Sequence, residues 1–319
     1  MKLDECRMSA EIKILNEAPL SDLIYIMSPS YSGSTLLTMM MAAHPAIATI
    51  GELKATAMGD VDRYQCSCGS LIRECGFWRK IGAEMMARKL PFTLENYGTH
   101  FRADSYFCDR LLHAAVRGRW FEAGRELLFR WSSPCRAKRD SILRQNLALI
   151  EVIARIQGGQ AFLDGSKDPV RLKHLMQVPW RRVRVISLVR DGRGVTCSYM
   201  RHEQHTMEGA LKEWLHTVRE MEALGRLLKP TEHLVVRYED LCRDHVQVLE
   251  QIYRFIGLEP SEAAPDFSRV EHHILGNNMR TKKIEQVRLD ERWKTELISS
   301  DLAKFESQAG AINRRFGYI

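Results

Sequence analysis

No stretch of this 319-residue chain approaches the roughly 20 consecutive apolar residues that a bilayer-spanning helix requires. The first 20 residues, MKLDECRMSAEIKILNEAPL, lack the unbroken apolar core of a secretory signal and are interrupted by acids. Internal repeats and low-complexity tracts are absent, and no composition shift marks a linker. These absences exclude solenoids and membrane spans, and the expectation is a cytoplasmic protein whose thiols are mostly reduced. What remains is an ordinary soluble composition, 45% hydrophobic and 27% charged, able to bury a sizeable core. The net charge of +7 favours an anionic partner without saying which.

Four short apolar runs are each followed by a helical pattern: Leu23–Met27, Ala161–Leu163, Val183–Val189 and His233–Tyr238. The helices predicted after them start at Thr35, at Pro169 behind an Asp168 N-cap, after Arg190, and around Val246, the last stopped by Gly257. Leu211 to Leu224 mark one more amphipathic helix. Strand–helix alternation of this kind implies an α/β chain, with a parallel sheet flanked by helices. Residues 1–319 read as one domain, with a mainly helical, Arg-rich insertion at about 80–155.

The segment SPSYSGSTLLTMMM, Ser28 to Met41, puts small hydroxyl residues and one glycine between a buried strand and a buried helix. Gly33 would let the backbone wrap an anion, while Ser32, Ser34 and Thr35 add donors at a helix amino end. An ordinary capped turn would look similar. The Walker pattern is missing: no glycine precedes Gly33 in the loop, and Ser34 stands where the phosphate-binding lysine would be. Such a loop suits one phosphate better than a triphosphate.

With LVRDGRGVTCSYM and VVRYEDL added in the same order, the chain resembles sulfotransferases that use 3′-phosphoadenosine 5′-phosphosulfate (PAPS). Its motifs are nearest to the tyrosylprotein and carbohydrate types. The likeness covers most of residues 22–60 and 160–295 and implies the P-loop-like sulfotransferase fold. It further implies transfer of a sulfuryl group from PAPS to a hydroxyl or amine of a small-molecule or saccharide acceptor, with no metal required. Residues implied for the donor are Tyr31, Ser32, Gly33, Ser34 and Thr35 at the phosphosulfate, Arg190 and Ser198 at the 3′-phosphate, and Tyr238 near adenine. Arg280, in a basic run with Lys282 and Lys283, would close over the 3′ end. Glu52 takes the place of the catalytic carboxylate, with His44 as the competing base, and Lys167 that of a lysine assisting the leaving oxygen. Tyr31 is a departure, since the family usually has a basic residue there.

A kinase-like nucleotide binder or an inactive anion-binding relative is the alternative reading. A nucleic-acid module is disfavoured because the recognisable cations gather at strand and loop ends, without a stripe of interleaved aromatics. Cys66, Cys68 and Cys75 form a separate cluster, read as packed reduced thiols. Zinc would need a fourth ligand, Cys108 or a histidine, and the C-x-C spacing is unusual for it. A disulfide within the cluster is the remaining alternative.

Overall fold

The computed structural model describes residues 22–54, 59–281 and 286–319, so Lys282 and Lys283 lie outside the described residues. Five parallel strands form one sheet: β1 Asp22–Met27, β2 Ile47–Ala48, β3 Ala161–Lys167, β4 Val183–Val189 and β5 His233–Arg237, in the spatial order β2-β3-β1-β4-β5. In chain order the helices used below are α1 Ser34–Met41, α2 Gly76–Ala87, α3 Tyr106–His113, α4 Arg119–Trp131, α5 Ser133–Gln157, α6 Pro169–Leu175, α7 Gly192–Glu203, α8 Met207–Gly225, α9 Tyr238–Arg243, α10 His245–Ile256 and α11 Ser299–Arg315. Among the described residues no helix is long and apolar enough to cross a membrane.

β1 is apolar from Leu23 to Met27 because it is central and covered on both faces. Its alternation divides the core: Leu23, Tyr25 and Met27 face the helices of residues 76–175, while Ile24 and Ile26 face α1 and α10. Asp168 caps α6 by accepting from the amides of Val170 and Arg171, and Gly257 ends α10 in the left-handed region.

The structure extends the expected sheet in two places. β2 is two residues long at the sheet edge, too short to leave a pattern. β3 continues through Asp164, Gly165 and Ser166, which read as a polar turn. They stay in the strand because each polar group is satisfied inside. Asp164 pairs with Arg171 at 2.9 Å, both fully buried, and also takes the Ser166 hydroxyl. Arg171 reaches on to the carbonyl of Thr99 and to Asn146, tying β3 and α6 to α5.

The thiols divide. Cys66, Cys68, Cys75, Cys197 and Cys242 are free, but Cys108 and Cys135 form a disulfide that ties α3 to α5. The expectation of reduced thiols therefore does not extend to this pair, and Cys108 is not available as a ligand to the cysteine cluster.

Arg171→Met leaves Asp164 buried and unpaired, so it should lower the unfolding free energy by about 3–5 kcal/mol in urea titrations. A loss too small to resolve would contradict the role given to the pair. His174 is fully buried and burial holds its pKa down at about 3; burial likewise holds His100 at about 4. Their unfolded forms take up protons near pH 6.5, so the stability they contribute is complete above that pH and is lost as pH falls towards 3. The denaturation midpoint should therefore drop between pH 7 and 5. A flat or rising profile would contradict this.

Candidate active site

β1 ends at the loop Ser28–Gly33, which enters α1 through Gly33 at φ 86°. Gly33 is required twice over. That backbone disfavours any side chain, and a Cβ would fall 2.6 Å from the ring of Tyr238. Among the described residues no side chain caps α1, and its first turn carries no acid, so its positive end is left for an anion. The hydroxyls of Ser28 and Ser32 are buried with no hydrogen-bond partner among the described residues. Orphaned buried donors ordinarily cost stability, and a ligand oxygen seated here would satisfy them.

Tyr238 begins α9 at the end of β5, with its ring against Gly33 and its centroid 4.7 Å from the Arg190 guanidinium carbon. Burial raises its phenol above the ordinary value, so the ring stays neutral. Arg190 is buried at the end of β4 and donates to the carbonyls of Tyr31 at 2.7 Å and Asp290 at 2.9 Å. The Asp290 carboxylate lies 3.2 Å from the same guanidinium. Arg292, with Arg190 behind it, holds Asp290 well below the usual carboxylate range. Gly194 lies under Arg190, where a Cβ would sit 3.0 Å from Nε. One turn on, Ser198 donates to the Gly194 carbonyl at 2.8 Å. Gly194 thus links the two: it lies beneath Arg190 and takes the Ser198 hydroxyl from mid-helix.

Glu52 and Lys167, expected to act on the reacting group, meet at 2.6 Å, each about one quarter exposed. Glu52 shares the walls of a narrow cleft with Ser34, Thr35, Thr38 and Gly165. Lys167 ends β3 at φ 70°, a costly backbone for a lysine, and its carbonyl accepts from the Ser28 amide. Gly276 closes the far side: a Cβ there would be 2.9 Å from Glu52 Oε1. The beginning of α1, the Glu52–Lys167 pair and the Arg190–Tyr238 stack therefore lie along one sheet edge, at the carboxyl ends of β1, β3, β4 and β5.

Three expected residues stand differently. Tyr31 turns its ring onto α7, donating to Glu203 at 2.8 Å and stacking on His202, so only its carbonyl serves the loop. Arg280 lies over Tyr64 and donates to the carbonyls of Gln65 and Gly276, which ties it to the Glu52 side and not to Arg190. His44 is buried at the opposite end of α1. Its Nδ1 accepts from the Ala46 amide and its Nε2 meets the Glu259 carbonyl, so neither nitrogen is left to act as a base. Asp290 is the residue that the motifs did not reveal; only its place in the charged run LDERW hints at it.

The model of the sulfotransferase family matches residues 24–262. A solved sulfotransferase domain from the curacin biosynthetic pathway is 19% identical, with TM-score 0.51 over 92% of this chain and 99% of its own. The sulfotransferase domain of the Synechococcus PCC 7002 olefin synthase is also 19% identical, at TM-score 0.48 over 95% and 97%. A mouse sulfotransferase complexed with PAP is 11% identical, at TM-score 0.43 over 92% and 86%. At these identities the likeness is one of fold. No curated protein sequence matches the chain.

Proposed function

Since the chain belongs to the sulfotransferase family, we propose that it transfers the sulfuryl group of PAPS to a hydroxyl or amine of a small-molecule or saccharide acceptor. The observation that carries this reading is the placement of the Lys167–Glu52 pair against the bare amino end of α1, over a loop with two orphaned hydroxyls. Buried unpartnered hydroxyls, a left-handed glycine and the absence of a loop lysine all suit a single phosphosulfate. PAPS, when bound, supplies a sulfuryl group already activated by a phosphate leaving group.

Each residue has one task in this reading. Ser32, Gly33, Ser34 and Thr35 hold the 5′ end through hydroxyls and amides. Arg190, now paired with Asp290, would hold the 3′-phosphate, with the Ser198 hydroxyl as a second donor. Tyr238 gives the adenine a flat neutral wall. Lys167 carries its cation to the departing phosphate oxygen, compensating for the charge that Tyr31 does not bring. Glu52 accepts the acceptor proton as the new bond to sulfur forms. Mutual contact before the reaction keeps Lys167 beside Glu52, which lines the cleft.

The helices of residues 76–157 would form an insertion within one domain and supply the acceptor side. A second cleft, lined by Lys54, His100, Phe101, His113 and Asp168, adjoins Lys167 along the chain. With His100 held at about 4 by burial, that imidazole is neutral at pH 7.

Transfer of labelled sulfate from PAPS to a panel of alcohols, saccharides and amines tests the reaction. 3′-Phosphoadenosine 5′-phosphate at 100 times its Kd should stabilise the protein by about 2.7 kcal/mol, and ATP at the same concentration by much less. Equal shifts would contradict the loop assignment. Glu52→Gln should bind that nucleotide normally and lower turnover by about 10²–10⁴. Undiminished turnover would remove Glu52 from the chemistry.

A further inference from the structure

We infer that Cys66, Cys68, Cys75 and His273 form a structural zinc site. Their ligand atoms all lie within 4.8 Å of one another. Cys68 Sγ is 3.7 Å from Cys75 Sγ, and His273 Nδ1 is 3.5 Å from Cys66 Sγ and 3.4 Å from Cys75 Sγ. A tetrahedron with zinc–sulfur bonds of about 2.3 Å and a zinc–nitrogen bond of about 2.0–2.1 Å has edges of about 3.8 Å between sulfurs and about 3.6 Å between sulfur and nitrogen. Three of the six separations match these edges to within about 0.2 Å, and the other three lie within 4.8 Å. Three thiolates and one imidazole are a closed donor set of the structural kind, with no position left for a substrate.

The surroundings are built as a metal site's second layer usually is. Cys66 and Cys68 sit on a tight hairpin in which the Cys66 amide bonds to the Ser70 carbonyl at 2.8 Å and Gln65 pairs with Leu71. Ser67 at its tip accepts from the Ile274 amide and donates to the His272 carbonyl, which docks the His273 segment onto the hairpin. The His273 ring stacks on Phe77 at 4.3 Å, within 6° of parallel. Its other nitrogen, Nε2, lies 3.5 Å from the exposed Glu271 carboxylate, on the side away from the sulfurs that Nδ1 meets.

Packed thiols alone would explain buried cysteines, which behave as small hydrophobes. They would not explain a histidine from 198 positions away presenting one nitrogen to two sulfurs. The ion's position also gives it a purpose. It would clamp the hairpin to the strap whose Leu275 amide bonds to Ile50 at 2.7 Å and whose Gly276 abuts Glu52. The site stands on its own geometry; only this last consequence rests on the role proposed for Glu52.

The test is elemental analysis of the untagged full-length protein purified without chelators, which should contain about one zinc per chain. Cys75→Ser and His273→Ala should lose the metal, and Cys197→Ser, outside the cluster, should keep it. Should the first two variants fold poorly, cobalt exchanged into the unaltered protein should give thiolate charge-transfer bands and the strong visible bands of a tetrahedral ion. Titration of the same protein with a mercurial should release zinc in step with thiol loss. Protein without metal, iron in place of zinc, full zinc retention by folded His273→Ala, or a Cys68–Cys75 disulfide in non-reducing mass spectrometry would each overturn the assignment.

Discussion

Asp164 and Arg171 sit 2.9 Å apart with almost no access to water, and the position of Lys167 depends on them. A strand that must carry Asp-Gly-Ser through the interior can continue only if those groups are satisfied there. Arg171 satisfies Asp164, and Asp164 in turn takes the Ser166 hydroxyl and amide. β3 therefore runs on to Lys167 at the sheet edge. Buried pairs of this kind add little net stability over an apolar replacement, so the service here is register and placement. The same guanidinium reaches Thr99 and Asn146, which fixes the helices of residues 76–157 relative to the edge where an acceptor would arrive.

That edge concentrates conformational cost. Tyr31, Gly33 and Lys167 all have positive φ, and Ser28 and Ser32 bury hydroxyls without partners among the described residues. Strain and unpaired donors persist where the surrounding fold holds them, and they cluster where a ligand is bound. Arg190 is the opposite case, since backbone carbonyls and Asp290 already occupy its donors. In the proposed function, a phosphate at Arg190 would have to displace Asp290.

Much of this was legible in the residues. Val183–Val189 is found with the bounds its unbroken apolar run implied, and the Asp168-Pro169 and Gly257 signals mark real helix ends. The loop, Arg190, Tyr238, Lys167 and Glu52 were found by motif, and the fold gathers them. β3 was cut short because Asp164-Gly165-Ser166 looks like a turn until Arg171 is seen beside it. Tyr31 and Arg280 were given ligand roles by position in a motif, but their side chains have stronger local partners in Glu203 and Tyr64. The cysteine cluster showed three ligands. The fourth comes from a distant strap with no periodic or motif signal, and only the folded chain brings His273 to it.

In the proposed function, one sheet edge holds an adenosine phosphorylated at both ends. A crystal structure of the protein with 3′-phosphoadenosine 5′-phosphate tests it most directly. Expected are the 5′-phosphate on the amides of α1 within reach of Ser32, the 3′-phosphate on Arg190 with Asp290 displaced, and the base against Tyr238. A nucleotide bound elsewhere, or bound here with Arg190 still held by Asp290, would contradict it.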